Sequence, residues 1–312
     1  MPQRRFNPSA TFSAELQDEA KHLSRVFINV LRAIGKAGSR PKHYEVILRQ
    51  SSLHDHAFNL PKYVGPLVQP VLDNLRTLLL DLNADFPPVH VDVKDMPTEC
   101  HNFLLRTFLS RLPELEHLRL NFRFYHDQET SNLLSWLSSP VSAATSNGAS
   151  ATSLLESPQP IEFTKLQRLD IGIIKVEPQV LFDIIRKHRA TLRIISFHKV
   201  TLLPINPTKP GDNLWAKFFG QLLKLDLKLT GVNMSFLAQE QVGKHPLRSI
   251  TFKDSRNFHS RNWGGTDVQS CLRDYIANVV VEGSDHDTDS SHSGESEVDS
   301  DGKDISRACI HS

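Results

Sequence analysis

The sequence is poor in cysteine and contains no long apolar run. Its three cysteines, Cys100, Cys271 and Cys309, lie far apart among 312 residues, which is typical of chains that keep their thiols reduced in the cytosol or nucleus. No apolar stretch approaches the roughly 18 residues of a membrane-spanning helix. The N-terminal segment MPQRRFNPSATF is basic but lacks a following apolar segment, so it does not resemble a signal peptide. We therefore expect a cytoplasmic or nuclear protein with no membrane partner.

The motifs of the common enzyme classes are absent as well. The sequence has no glycine-rich phosphate or dinucleotide loop, no G-x-S-x-G, no H-E-x-x-H and no C-x-x-C. His54 and His56 flank Asp55, but no further ligand residue stands nearby at a suitable spacing, so we expect a solvent-exposed turn over residues 51–56. We expect no enzymatic activity, metal, cofactor or small-molecule ligand. A site assembled from distant residues, as in hydrolase triads, stays open as an alternative.

A recurring strand pattern is what the sequence does contain. Each copy has a leucine, two variable residues, an apolar residue, one variable residue and another apolar residue. Between Leu166 and His198, LQRLDIGI and LRIISFHK predict two strands, and the residues between them predict a helix with Pro178 in its first turn. Because side chains alternate across a strand, Leu169 belongs to the core face and Asp170 to the opposite face. One unit cannot bury its apolar face alone, so the units must stack.

Six copies of the pattern define anchor leucines, which are Leu75, Leu115, Leu166, Leu192, Leu222 and Leu247. The spacings are 40, 51, 26, 30 and 25 residues, and the last three lie in or near the range of about 20–29 residues of leucine-rich repeats. Residues 139–160, rich in Ser, Ala, Thr and Pro, form a flexible insertion that explains the longest spacing. The pattern predicts an α/β fold, an irregular leucine-rich-repeat-like solenoid of alternating strands and helices over residues 13–281.

The N-terminal end of this domain is predicted to be a helix. Apolar residues recur at helical spacing from Leu16 to Ile34 and include Phe27, Val30 and Leu31. We expect this helix to cap the open edge of the solenoid, and docking on another protein is the alternative. The segment HYEVILR that follows predicts a degenerate first strand.

The C-terminal residues 282–312 differ in composition from the rest. They contain no aromatic residue, and residues 282–304 hold nine acidic residues and one lysine. Such a segment buries too little apolar area to offset its chain entropy, so we expect a disordered Ser/Asp-rich acidic tail that suits acid-directed kinases. Residues 1–281 keep 34 basic and 26 acidic residues, a modest basic excess that does not require nucleic acid as the partner.

The polar strand positions predict a binding surface. In a strand–helix solenoid the fourth and sixth residues after each anchor point away from the core. Exposure to water alone would explain their polarity, and a recognition strip is the functional alternative. The residues of this mixed-charge recognition strip would be Arg119, Asp170, His198, Asp226 and Lys228. Mixed signs favour a protein partner over a polyanion such as nucleic acid.

Four segments together carry a family resemblance: LSRVFINVLRAIGKAG, LDNLRTLLLDL, LPELEHLRLNF and FTKLQRLDIGIIKVEPQVLFDIIRKHRATLRIISFHKVTL. Over about residues 16–255 the chain resembles the irregular leucine-rich repeats of fungal F-box proteins. The Leu-Pro pair that usually opens an F-box is not found in residues 1–40. The resemblance implies the substrate-recognition component of a cullin-type ubiquitin ligase, whose partners are an adaptor and a substrate protein. The alternative is a nucleic-acid- or chromatin-associated scaffold with a regulatory acidic tail.

Overall fold

The protein is a mixed α/β structure with one ten-stranded sheet. The computed structural model describes residues 14–48, 52–82, 102–122, 132–141, 158–204, 212–241, 244–253 and 257–282. The seven helices of these ranges are α1 (Ala14–Lys36), α2 (Gly65–Leu72), α3 (Phe103–Leu109), α4 (Asn132–Ser138), α5 (Pro178–Lys187), α6 (Leu214–Leu222) and α7 (Val268–Asn278). The strands are β1 (His43–Val46), β2 (Thr77–Leu82), β3 (His117–Phe122), β4 (Arg168–Val176), β5 (Ile194–Leu202), β6 (Gly231–Ser235), β7 (Ala238–Gln241), β8 (Lys244–Phe252), β9 (Ser260–Gly264) and β10 (Val279–Val281). The predictions for the tail beyond residue 282 and for most of the 139–160 insertion lie outside the described residues.

The first five strands lie side by side in chain order and are parallel, and β6 and β7 both pair with β5. Their register places Leu118, Leu169, Ile195 and Val232 in one row across four strands. All four are buried. A two-donor hydrogen bond also recurs: the carbonyl oxygen of Glu116 accepts the N–H groups of two consecutive residues on the next strand, at 2.7 and 2.9 Å. The equivalent carbonyls are those of Lys42, Arg76, Gln167 and Arg193.

The predicted anchor at Leu222 is wrong. Leu222 is the last residue of α6, where it completes an apolar stripe with Trp215, Phe218 and Phe219, all fully buried. The segment forms a helix and not a strand because these spacings of three and four residues place all four side chains on one face of the helix. The strand begins later, and the register of β5 with β6 makes Leu229 the residue equivalent to Leu192.

The predicted anchor at Leu247 is wrong too. Leu247 is 46% exposed, and its strand β8 runs antiparallel to β7 and β10. Only two residues separate β7 from β8, whereas a parallel crossover needs about a dozen. The sheet therefore ends in an antiparallel unit, and α7 and β10 close it.

The N-terminal helix is confirmed, and it packs on the first strand and on α2. Phe27 lies edge-on against Tyr44 of β1, with ring centroids 5.8 Å apart. At Gly35 the two helices approach so closely that a β-carbon would lie 2.2 Å from the carbonyl oxygen of Leu67. The predicted stripe fails at Val30, which is exposed because it lies on the outer face of α1.

The expected solvent-exposed turn at His54–His56 is wrong for Asp55. Residues Asp55–Phe58 form a 3₁₀ turn, and Asp55 is buried. Its carboxylate accepts the backbone N–H groups of Leu104 and Leu105, at 3.2 and 2.8 Å, in the first turn of α3. Asp55 thus supplies the acceptor that α3 lacks at its own N-terminus, where Asn102 makes no side-chain cap.

Candidate interaction surface

The strand positions opposite the core form a polar face. The fourth residues after the anchors make one row in direct register: Arg119 of β3, Asp170 of β4, Ser196 of β5 and Asn233 of β6. The sixth residues make the next row, which comprises Asn121, Gly172, His198 and Ser235. We call these two rows, with the neighbouring second-position residues His117 and Arg168, the polar face.

Asp170 is the centre of a charged network on the polar face. His117 Nε2 lies 2.8 Å from its Oδ2, and Arg168 Nε donates to its Oδ1 at 3.0 Å. These side chains cover Asp170 so that it is only 7% exposed. Burial alone would raise the pKa of Asp170, but the hydrogen bonds from His117 and Arg168 outweigh it and hold the pKa below its usual value. The carboxylate is therefore charged and held in place.

Arg119 links two strands that are not neighbours. Its Nη2 donates to Glu45 Oε1 of β1 at 2.6 Å, across the intervening strand β2. The ion pair lies over Leu79, the apolar residue at the same level of β2, which is 6% exposed. Both charged side chains keep about 30% of their surface, at 27% and 30%, so they remain accessible to a partner.

The sixth-position row is held by amide contacts. Asn121 Nδ2 donates to Asp81 Oδ1 of β2 at 3.3 Å. The amide lies over Gly172, where a β-carbon would come within 2.4 Å of Asn121 Oδ1. A glycine at this position thus makes room for the Asn121 side chain of the neighbouring strand.

The far end of the polar face is aromatic. His198 Nδ1 lies 2.8 Å from Ser235 Oγ. The His198 ring also meets the Phe236 ring edge-on, and His259 stacks on the same ring at an interplanar angle of 16°. Phe236 remains 48% exposed between the two imidazoles.

Two predicted site residues do not belong to the polar face. Asp226 and Lys228 lie in the connection between α6 and β6, where both are exposed. They were placed by counting from Leu222, and the register shows that Asn233 and Ser235 hold the corresponding positions. The structure does bring Arg119, Asp170 and His198 onto one face of adjacent strands.

Several residues of this surface were missed by the sequence analysis. His117 and Arg168 stand at the second position after their anchors, so the same alternation that selected the fourth position would have found them. The alternation does not identify Phe236 or His259, because neither lies in a strand. Phe236 lies between β6 and β7, and His259 lies in the connection from β8 to β9.

A depression lies on the helical side of the sheet, between the end of α4 and α5. It has a volume of about 520 Å³. Three of its rim charges already have partners: Arg186 Nη2 lies 2.8 Å from Asp183 Oδ1 within α5, and Lys187 Nζ donates to the carbonyl oxygens of Leu137 and Ser139. The Lys187 contacts hold the end of α4 against α5, so this lysine has a structural role.

Comparison with known proteins gives no family. Neither the protein-family models nor the curated proteins contain a match to this chain. The features that bear on its function are therefore the polar face and the remaining chemistry of the chain.

That remaining chemistry is sparse in the part of the chain that the structure describes. No group of three or more His, Cys, Asp or Glu residues in those ranges is arranged to hold a metal ion. Burial raises the pKa of the Cys271 thiol to about 12, so this cysteine stays protonated at neutral pH. None of the described helices is both long enough and apolar enough to cross a membrane.

Proposed function

We propose that this chain is a non-enzymatic protein-interaction module, built as an irregular leucine-rich-repeat-like solenoid, that binds its partner on the polar face. The observation that carries the proposal is the row Arg119–Asp170–Ser196–Asn233, which runs in register across four parallel strands. Stacked strand–helix repeats bind partners through extended strand surfaces of this kind.

The repeat pattern supports the solenoid architecture. With Leu229 as anchor, three successive units share a longer pattern in which the fifth residue after the anchor is followed by two variable residues and an apolar one, namely Ile174, Val200 and Leu237, all buried. Leucine-rich repeats have the same spacing, with Asn or Cys at that position. The apolar replacement makes these repeats irregular, while the spacing from strand to strand is retained.

The charges of the polar face support a protein partner. Arg119 and Arg168 are each paired with a carboxylate, those of Glu45 and Asp170. A protein surface with charges of both signs can pair with both the arginines and the carboxylates. The phosphates of a nucleic acid would be repelled by these carboxylates and would have to displace them from the arginines. The scaffold reading with nucleic acid as partner is therefore the weaker one.

The resemblance to fungal F-box proteins suggests the class of partner. In that family the repeats hold a substrate for a cullin-type ubiquitin ligase, so the polar face would be the substrate-binding surface. The partner would then be a folded protein or a segment with charges of both signs.

Affinity purification of the tagged full-length chain from its native cells, with quantitative mass spectrometry, tests the proposal. Recovery of an adaptor and a cullin together with a third protein supports the ligase role, and a specific partner without them supports only the interaction module. Nucleic acid as the main retained component, released steeply as salt is raised, contradicts the proposal.

A further inference from the structure

A row of left-handed residues crosses the sheet just beyond the polar face. Ile173, Lys199 and Phe236 have φ angles of 57°, 53° and 52° and directly follow Gly172, His198 and Ser235, which are in register. Such a conformation is uncommon for bulky side chains and costs about 1–3 kcal/mol. We call these three residues the left-handed ridge. Its recurrence on three successive strands shows that the strain is part of the architecture.

The ridge presents a cation next to an aromatic ring. Lys199 is exposed and forms no ion pair with any described residue. Phe236, also exposed, is flanked by the His198 and His259 rings. Burial, and to a smaller degree the charge of Lys199, lower the pKa of His198. A carboxylate beside a small apolar side chain fits this surface.

The chain leaves the sheet next to the ridge. The N–H of Glu282 donates to the carbonyl oxygen of Ser249 at 3.0 Å, Ser249 lies opposite Ala238, and Ala238 lies opposite Thr201 of β5. Three strand spacings of about 4.8 Å thus separate Glu282 from Thr201 of β5. Thr201 comes two residues after Lys199 in the same strand. β10 and β7 are both antiparallel to β8, so β10 points toward the same end of the sheet as the C-terminal ends of the parallel strands.

We propose that the acidic tail of the same chain, residues 283–304, docks on the left-handed ridge. This stretch contains eight acidic residues and one lysine. An extended chain covers about 3.3 Å per residue, so five residues already span the distance to Lys199. Tail carboxylates pair with Lys199, and Val298, which stands between acidic residues in the sequence ESEVDSD, covers Phe236. Phosphorylation of the tail serines adds negative charge and strengthens the contact.

The tail would cover the aromatic end of the polar face. His198 and the neighbouring Ser235 belong to both surfaces. A docked tail therefore competes with a partner at that end, and this consequence rests on the proposed function. The tail contact itself does not depend on it.

Zero-length cross-linking of the full-length protein with a carbodiimide tests the contact, because this reagent joins a lysine only to a carboxylate that touches it. Lys228 is the matched control: it is exposed and lies at the opposite end of the strands, about 27 Å away by the rise of eight residues. We expect tail peptides linked to Lys199 in at least about fivefold greater yield than to Lys228, after correction for the reactivity of each amine. Salt at about 0.5 M should abolish the difference.

Two variants and one mixing experiment sharpen the result. Phe236→Ala leaves Lys199 in place and should lower the yield at Lys199 severalfold, whereas Lys224→Ala, an exposed residue after α6, should not. Mixing isotope-labelled with unlabelled protein shows whether the links form within one chain. Equal yields at Lys199 and Lys228, or links at Lys199 that join two copies, would overturn the proposal. Because no partner is present in this assay, its failure would leave the proposed function standing.

Discussion

His117 on β3 and Asp170 on β4 are joined at 2.8 Å between Nε2 and Oδ2, although 53 residues separate them in the sequence. The contact is diagonal, since His117 lies directly opposite Arg168, two residues before Asp170. It brings the His117 imidazole and the Arg168 guanidinium to the single carboxylate at the centre of the polar face.

Asp170→Asn should remove an acid-dependent part of the stability. The folded-state pKa of Asp170 is lowered, so its pairing stabilises the native state above the unfolded pKa of about 3.9 and is lost as the pH falls through the lower folded value. We expect the free energy of unfolding of the wild type to fall more than that of Asp170→Asn between pH 5 and 3. Urea denaturation at the two pH values measures the difference. Asp226→Asn, which removes an exposed carboxylate outside the network, should behave as the wild type does.

Leu169→Ala and Leu247→Ala test the corrected strand register. Leu169 is 1% exposed in the central strand, so its truncation should cost about 2–5 kcal/mol. Leu247 is a predicted core residue of the same sequence pattern, as an anchor, but it is exposed, so Leu247→Ala should cost less than about 0.5 kcal/mol. Chemical denaturation of both variants decides the point. Equal losses would mean that Leu247 is a core anchor after all.

The sequence pattern was a sound guide wherever an anchor leucine was followed by a parallel strand. Leu166 and Leu192 predicted β4 and β5, because alternation and the helix between them agree. It failed at Leu222, since leucines at helical and strand spacing overlap in FFGQLLKLDLKL, and only tertiary packing decides between them. It failed at Leu247 because direction along a sheet depends on the length of the connection, which the pattern does not contain.

His188 should make the protein less stable in mild acid. Its ring is buried at the end of α5, with Nδ1 3.0 Å from the Ile184 carbonyl oxygen and Nε2 accepting the N–H of Phe163 at 3.3 Å. Burial lowers the folded-state pKa, and the charge of Lys187 adds to this while the Ile184 carbonyl and Glu162 oppose it. The unfolded state therefore binds the proton more readily, so stability falls as the pH drops below about 6.5.

Urea denaturation at pH 7.5 and 5.0 checks the role of His188. The loss of stability over this interval should be smaller in His188→Gln than in the wild type. His22→Gln removes an exposed histidine of α1 and serves as the control. A pH dependence that is unchanged in His188→Gln would show that the imidazole is protonated without cost.

Lys199→Gly should stabilise the fold. Lys199 is exposed and has a φ of 53°, so glycine relieves the left-handed strain without loss of packing. We expect a gain of about 0.5–1 kcal/mol in the free energy of unfolding. Lys224→Gly, at an exposed position with negative φ, should be neutral or destabilising. A loss of stability in Lys199→Gly would mean that the lysine side chain itself holds the ridge.

The polar face was only partly predictable from sequence. Alternation alone placed Arg119, Asp170 and His198 correctly, since each stands at an even offset from a true anchor. The ridge was not predictable, because Ile173 and Phe236 are residue types that avoid positive φ. Only the structure shows that they directly follow residues in register on neighbouring strands, as Lys199 does.

The most direct test of the binding surface compares two charge reversals, Arg119→Glu and Lys228→Glu. Both residues were expected on the surface, and the structure leaves only Arg119 there. With a partner recovered by affinity purification, and with each fold verified by circular dichroism, the dissociation constant of each variant is measured by titration. If the polar face binds the partner, we expect at least about tenfold weaker binding for Arg119→Glu, equivalent to about 1.4 kcal/mol, and a change below about twofold for Lys228→Glu. Unchanged affinity for Arg119→Glu, or an equal loss in both variants, would contradict binding at the polar face.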